Sequence, residues 1–289
     1  MTIPRPIISR RNSSKHARTR SGCARSYFQY EPIAAAFDYE KSLTEEGLVL
    51  IVDIDGGTSD FSLVRVGPER ARHLERKGDV LAHHGVHVAG TDFDRRVELM
   101  TILHELGYQT LDPQGREVPN RVYFDLATWH LINMVYTPKR VSELQLMRHL
   151  YPDTHFHDRL MRVVDRRLGH ALTAHAEEAK IDVSAGDETE IDMEEIEEAL
   201  RVHFDEDKLI DAGRDETRRI VESAKETVKL AGVSEKDVGA VYFTGGTGAG
   251  HRFLSDALSG AFPGARAVFG DRLASVATGL GIYAQRVFA

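Results

Sequence analysis

Three carboxylates, two hydroxyls and two glycines fall between positions 53 and 60: Asp53, Asp55, Gly56, Gly57, Thr58, Ser59 and Asp60. Glycines without Cβ atoms let backbone N–H groups approach an anion, while a carboxylate beside them can hold a hydrated Mg²⁺. The plainer alternative is an acidic hairpin with no ligand. The chain's 14 histidines offer a second chemistry, chiefly at His83-His84-x-x-His87 and His155-x-His157. Alternate residues of a strand share a face, as zinc ligands do, but no cysteine pair or well-spaced third ligand set accompanies either group. A glycine-rich run from Gly245 to Gly250 follows an apolar stretch. It is not a Walker loop, because His251 and Arg252 stand where Lys and Ser/Thr are needed. A dinucleotide fingerprint would need a third glycine where His251 stands. What remains is bare backbone against which a flat group such as a nucleoside can lie. No Gly-x-Ser-x-Gly nucleophile elbow occurs.

The elements that must position these residues flank them. The apolar run Leu48–Ile54 and the residues Phe61, Leu63, Val64 and Val66 predict a β-hairpin over Gly47–Val66. Ala71–Val88 alternates weakly and predicts one or two further strands. Before the hairpin, Glu31-Pro32 opens a helix with proline pre-organised for the first turn, and Ala34–Ala36 allow close packing. After it, Thr91-Asp92-Phe93-Asp94 predicts a capping box, with Thr91 as N-cap and Asp94 reaching back. Val97, Met100, Ile102, Leu103 and Leu106 extend that helix to a stop at Gly107. Gly90, just before the cap, frees backbone amide at a positive helix end, which is either an anion site or an ordinary capped start. Arg121–Ile181 reads as helix, broken at Pro138 and Pro152. Glu188–Met193 alternates like a single strand, and Glu194–Leu230 reads as a charged, solvated helix stopped by Gly232. Gly239–Thr244 is a short buried strand, followed by a helix from about His251. Leu273–Phe288 is an Ala- and Gly-bearing helix that would pack closely on a sheet. Antiparallel strands followed by long helices predict a mixed α/β or α+β layer.

The 289 residues are 42% hydrophobic and 28% charged, ordinary for a globular chain with a real core. A net charge of −8 argues against a general nucleic-acid or membrane-surface binder. Seven Lys/Arg and no acid occupy the first 30 residues. Residues 1–26 are expected to be a disordered basic tail: a transit peptide, a basic arm, or an extension without function. The single cysteine, Cys23, excludes an internal disulfide framework and fits a reducing compartment. The apolar run Leu48–Val52 is far too short to span a bilayer. A cytoplasmic protein with neither nucleic acid nor membrane as partner is expected.

Six motifs, taken in order, resemble one family. They are Glu31-Pro32 with Ala34–Ala36, Asp53–Asp60, Gly90–Asp94, Glu177–Ser184, Gly245-Gly246-Thr247 and Val276-Ala277-Thr278-Gly279. Their order and approximate spacing over residues 29–289 resemble the nucleotide-binding domain of DnaK-type heat-shock chaperones, in the actin-like ATPase superfamily, closest in flavour to the YegD-like branch. The resemblance implies an actin-like, ribonuclease H-like lobe with an inserted helical subdomain at about 91–205. Residues 27–42 would be the last helix of a first lobe and the crossing from it, and 43–289 the second lobe.

ATP or ADP with Mg²⁺ would lie in the cleft between the lobes. Asp53 would position Mg²⁺ through water, Thr58 would stand near the γ-phosphate, and Glu31 would be the interlobe carboxylate near the metal. Gly56 and Gly57 would contact phosphate through backbone, and Gly90 would face the phosphates. Glu177, Lys180 and Ser184 would hold adenine and ribose, with Gly245, Gly246 and Thr247 beneath the adenosine. The departures are equally specific. The family's first phosphate loop and its catalytic lysine have no counterpart in the sequence, Asp55 replaces a hairpin glycine, and Ile181 and Ala249 replace basic residues that stack on adenine. The expectation is a truncated, ATP-binding chaperone-related domain with impaired hydrolysis. Two alternatives stand beside it. One is a catalytically dead binding module that pairs with a first-lobe partner or self-associates through an exposed face including Ala34–Phe37. The other is a kinase of the same superfold.

Overall fold

Apolar residues at every position of a short run make a strand buried on both faces, and the hairpin shows it. β1 (Gly47–Ile54) and β2 (Ser59–Val66) pair antiparallel, Gly47 opposite Val66 and Ile54 opposite Ser59. The computed structural model describes residues 29–245, 252–271 and 274–288. β3 (Val80–Val86) pairs antiparallel with β2, while β6 (Ala240–Thr244) and β7 (Arg266–Phe269) extend the other side in parallel. The sheet order is β3-β2-β1-β6-β7. The protein is mixed α/β.

Two helices cover one face. α1 (Glu31–Glu40) and α11 (Ser275–Phe288) bury Ile33, Ala36 and Phe37 against Val49, Ile51, Val64 and Val66, with Val276, Ile282 and Tyr283 packed alongside. Phe37 stacks on Tyr283 at 5.9 Å. Gly279 lets the two helices touch, since a Cβ there would stand 1.7 Å from the Ala34 carbonyl oxygen. Ala34–Phe37 are therefore buried beneath α11, and the exposed apolar face expected around them does not form.

The other face carries Leu50, Val52, Ile54, Phe61 and Leu63 into a larger core. α9 (Arg214–Leu230) and α10 (Arg252–Ala261) pack there through Ile220, Ala224, Val228, Leu254 and Leu258. Between β3 and α9 the chain forms α2 (Gly90–Met100), α3 (Arg121–Leu126), α4 (Ile132–Val135), α5 (Pro138–Leu146), α6 (Thr154–Arg166) and α7 (Gly169–Ala185). A hairpin of β4 (Thr189–Asp192) and β5 (Arg201–Phe204) and the short α8 (Glu206–Ala212) follow. Glu197, in the loop of that hairpin, accepts from Arg159, Arg162 and His155 of α6. These partners, Arg159 foremost, pull its carboxyl down to about 2. Among the described residues no helix is long and apolar enough to cross a membrane.

Several local expectations are corrected. α2 starts two residues early, with Ala89 rather than Thr91 at the N-cap, and Asp92 rather than Asp94 accepts from the capping amide at 2.9 Å. Thr91 and Asp94 are taken by longer-range partners described below. α2 ends at Met100, and Gly107 instead closes a short 3-10 turn in the left-handed region at φ 97°. Ala71–Val88 supplies one strand, β3. The single strand expected at Glu188–Met193 gains a partner, β5, inside the segment read as helix.

One loop is fixed by buried charge. Arg76, fully enclosed, donates to both Glu40 oxygens at 2.7 and 3.0 Å and also to Asp79. Arg70 reaches Asp79 from outside at 2.7 Å. The Arg76 guanidinium also lies over the Phe37 ring, 5.5 Å from its centroid. The stretch before β3 is thereby tied to the end of α1.

Candidate functional site

The hairpin turn is closed by Asp55 N–H donating to the Thr58 carbonyl at 3.1 Å. Asp55, Gly56 and Gly57 are exposed, and open space surrounds the Gly57 Cα. The turn is not free to swing. Gly90 N–H donates to the Asp55 carbonyl at 3.1 Å, and Thr91 donates to the Gly56 carbonyl through its N–H at 2.9 Å and its hydroxyl at 2.7 Å. This docking is why Thr91 abandons the expected cap. Ser59 donates from its buried hydroxyl to the Val88 carbonyl at 2.6 Å, holding the strand before α2 against the hairpin.

Asp53 lies near the end of β1, half-buried, opposite Asp60 on β2 and Thr244 on β6. Burial, then the nearby charges of Asp55, Glu31 and Asp60, raise its carboxyl to about 7. The structure thus brings Asp53, Asp55, Asp60 and Glu31 into one electrostatic group. Gly245 joins them, at φ 82°, where a Cβ would come 2.6 Å from both Asp53 Oδ1 and the Ile54 carbonyl. Only glycine fits that corner. Thr58 is half-buried beside the turn. Gly246 and Thr247 lie outside the described residues.

A second group forms where α7 crosses α2. Lys180, buried, stands 2.5 Å from Asp94 Oδ1 and 3.4 Å from the Gly90 carbonyl, to which it donates. Burial nevertheless raises the Asp94 carboxyl, outweighing the Lys180 ammonium. Glu177, one turn earlier on α7, is exposed, and Ser184, one turn later, donates to the Lys180 carbonyl at 2.6 Å. Deeper along the same contact, Glu98 is fully buried and accepts from the Thr173 hydroxyl at 3.0 Å. The two groups meet through Gly90, whose N–H serves the hairpin and whose carbonyl serves Lys180.

His83, His84, His155 and His157 bond elsewhere in the fold. His83 and His84 project to opposite faces of β3, bonding Ser62 at 2.9 Å and Ser223 at 2.8 Å. His155 bonds Glu197 and His157 bonds the Leu144 carbonyl, each at 2.9 Å. Among the described residues no group of three or more His, Cys, Asp or Glu is arranged to hold a metal ion directly. Sequence reasoning missed the side chains that contact these residues. Ser275 accompanies Thr244, oxygen to oxygen at 2.6 Å, and pins the start of α11 to the end of β6. His83 and Ser62 stand behind Asp60. Ser62 and Ser275 lie in no recognisable motif, and His83 stood out only as a candidate zinc ligand.

The carboxylates at the hairpin suit a hydrated divalent cation. Three acids around one desolvated carboxyl leave negative charge that a cation would relieve, and Mg²⁺ keeps several waters and needs few protein ligands. No family model matches the chain. Over 100 residues, 35% of its length, the chain is 30% identical to the "Chaperone protein dnaK" of Gracilaria tenuistipitata var. liui, of which the match spans only 15%.

Proposed function

We propose that this chain is an ATP- and Mg²⁺-binding, chaperone-related protein of the DnaK type and YegD-like branch, and that its sheet is one lobe of an actin-like, ribonuclease H-like ATPase domain. The observation that carries the reading is the desolvated Asp53 beside the exposed Gly56-Gly57 turn, with Asp55, Glu31 and Asp60 around it. The sheet order, with the hairpin at its middle and parallel strands beyond, and the partial likeness to a chaperone protein support it.

In this reading Asp53 holds a hydrated Mg²⁺, with Glu31 nearby, and bound Mg²⁺ supplies charge neutralisation for the phosphates. Gly56 and Gly57 offer backbone N–H groups to phosphate, and Thr58 stands toward the terminal one. Gly90 fixes the turn, and Glu177, Lys180 and Ser184 with Gly245, Gly246 and Thr247 bound the nucleoside. Residues of about 91–205 form the outer subdomain of the lobe. Catalysis would be mostly electrostatic positioning of water near Asp53 and Thr58. The described residues supply one wall of the cleft, so weak affinity and little steady hydrolysis are expected of this chain alone. Asp55 adds to the weakness, because a carboxylate about 5 Å from a phosphate charge costs on the order of 3 kcal/mol at an effective dielectric near 20.

The test is titration of a fluorescent ADP analogue with and without Mg²⁺, on the wild type and Asp53→Asn. Binding strengthened by Mg²⁺ only in the wild type supports the reading. No binding at millimolar nucleotide overturns it, as does a Mg²⁺ response that survives the substitution. Steady ATP hydrolysis lost in Asp53→Asn would overturn the impaired-hydrolysis part alone.

A further inference from the structure

On the sheet face that carries Asp53, β2 and β3 hold a short chain of polar groups that the nucleotide reading leaves unused. Asp60 is the cross-strand partner of Asp53. Ser62, two residues along β2, is the cross-strand partner of His83 on β3. Direct cross-strand partners share a face and strands alternate with period two, so all four side chains project to one side. The buried Ser62 hydroxyl lies 2.9 Å from His83 Nδ1, and His83 Nε2 lies 3.6 Å from Asp60 Oδ1. His83 and Asp60 are both partly exposed at the rim of the hairpin.

Gly85 is a separate observation pointing the same way. It stands directly opposite Asp60, and a Cβ there would fall 2.6 Å from Asp60 Oδ1. The missing side chain is what lets Asp60 lean across β3 toward His83. A merely decorative histidine on a sheet rim would require neither a buried hydroxyl behind it nor a glycine beside its partner.

We propose that His83 is a positioning residue of the hairpin site. The Ser62 hydroxyl donates to Nδ1, which leaves the proton on Nε2, and that N–H is directed at the Asp60 carboxylate. Asp60 is thereby held in one orientation opposite Asp53. The consequence for Mg²⁺ and nucleotide rests on the function proposed above; the relay itself does not.

The experiment uses the full chain with ¹⁵N-labelled histidine, in buffer free of metal and nucleotide at about pH 8, where an ordinary imidazole is neutral. Long-range ¹H–¹⁵N correlation reads the His83 tautomer, with His83→Gln supplying the assignment. A single Nε2–H tautomer in the wild type, turning into a mixture in Ser62→Ala, is expected. Gly85→Ala, which displaces Asp60 without removing a hydrogen-bonding group, should shift the Nε2 resonance and keep the tautomer. An Nδ1–H tautomer in the wild type, or a Ser62→Ala spectrum unchanged from it, overturns the proposal. In the second arm, His83→Gln and Asp60→Asn should each weaken Mg²⁺-dependent ADP binding by about tenfold, as expected when a contact that orients a charged group is lost. The double variant should lose no more than either single one. Additive losses overturn the proposal. Failure of every variant and the wild type to bind ADP defeats the function proposed above, while the tautomer arm still decides this one.

Discussion

Lys180 Nζ stands 2.5 Å from Asp94 Oδ1 across the contact of α7 with α2, and both side chains are almost wholly enclosed. The residue that resemblance assigns to the nucleoside therefore also fixes the helix that carries Gly90. Removing one partner of a buried pair strands the other charge, which costs far more than losing a surface pair.

Lys180→Met is expected to destabilise the protein by about 3 kcal/mol at neutral pH. The loss should shrink toward acid pH, because burial already raises the Asp94 carboxyl and protonation removes the stranded charge. Urea denaturation at pH 5 and pH 7.5 measures both. A loss below about 1 kcal/mol at neutral pH would place this pair with solvated ones.

Glu98 gives the fold a pH dependence of definite sign. Burial raises its carboxyl to about 8 from the ordinary 4.5, opposed by the Thr173 hydroxyl and assisted by Asp94. A raised acid binds its proton more tightly folded than unfolded, so its contribution is complete below about pH 4.5 and is lost as pH rises through about 8. Glu98→Gln keeps the shape and the acceptor for Thr173 and removes the titration. Thermal melts from pH 5 to pH 9 should show the variant gaining on the wild type with each step upward. Parallel curves would refute the assignment.

Two glycines of α11 are expected to respond oppositely. At Gly279 a Cβ would fall 1.7 Å from the Ala34 carbonyl oxygen, backbone against backbone, whereas nothing lies within 4 Å of one at Gly281. Gly279→Ala must lift α11 from α1 and should cost about 2–3 kcal/mol. Gly281→Ala should be neutral or stabilise by up to about 1 kcal/mol through helix propensity. Denaturant midpoints of the two variants, compared directly, decide it; equal shifts would show that the helices are not in contact there.

Arg76→Met should cost about 3–5 kcal/mol, because it leaves Glu40 buried without its cation and Asp79 with Arg70 alone. Arg218→Ala breaks a pair of 3.0 Å whose side chains are 65% and 64% exposed, and should cost less than about 0.5 kcal/mol. The contrast, read by the same melts, tests whether enclosure rather than distance sets the cost.

What the sequence disclosed is uneven for physical reasons. The hairpin was legible because Leu48–Val52 is continuously apolar, Phe61, Leu63, Val64 and Val66 follow it, and glycines stand between the two runs. The start of α2 was misplaced by two residues at its cap because capping preference is local. Thr91 instead serves the Gly56 carbonyl and Asp94 serves Lys180, partners 35 and 86 positions away. β5 was missed because Arg201–Phe204 is four residues long inside a strongly charged segment, too short for alternation to outweigh composition. Burial of Arg76 runs against the usual preference of arginine for the surface, and only the convergence of Glu40 and Asp79 explains it. At the candidate site the glycines and carboxylates were visible by spacing. Their supports Ser62 and Ser275 were not, and His83 was visible only as a candidate zinc ligand, because each matters through a cross-strand or interlayer neighbour.

The parallel pairing of β1 with β6 sets an order of assembly. Leu50 meets Val241 across roughly 190 residues of chain, and closing a flexible loop of that length costs on the order of 5 kcal/mol in chain entropy. β1, β2 and β3 have no such debt, being joined by short connections. The meander is expected to form early and β6 to dock late, once the intervening helices have shortened the gap. Gly245, at the far end of β6, then reaches Asp53 only in that late step, so the hairpin exists before its site does. Pulsed hydrogen exchange should find the Leu63 amide protected ahead of the Val241 amide.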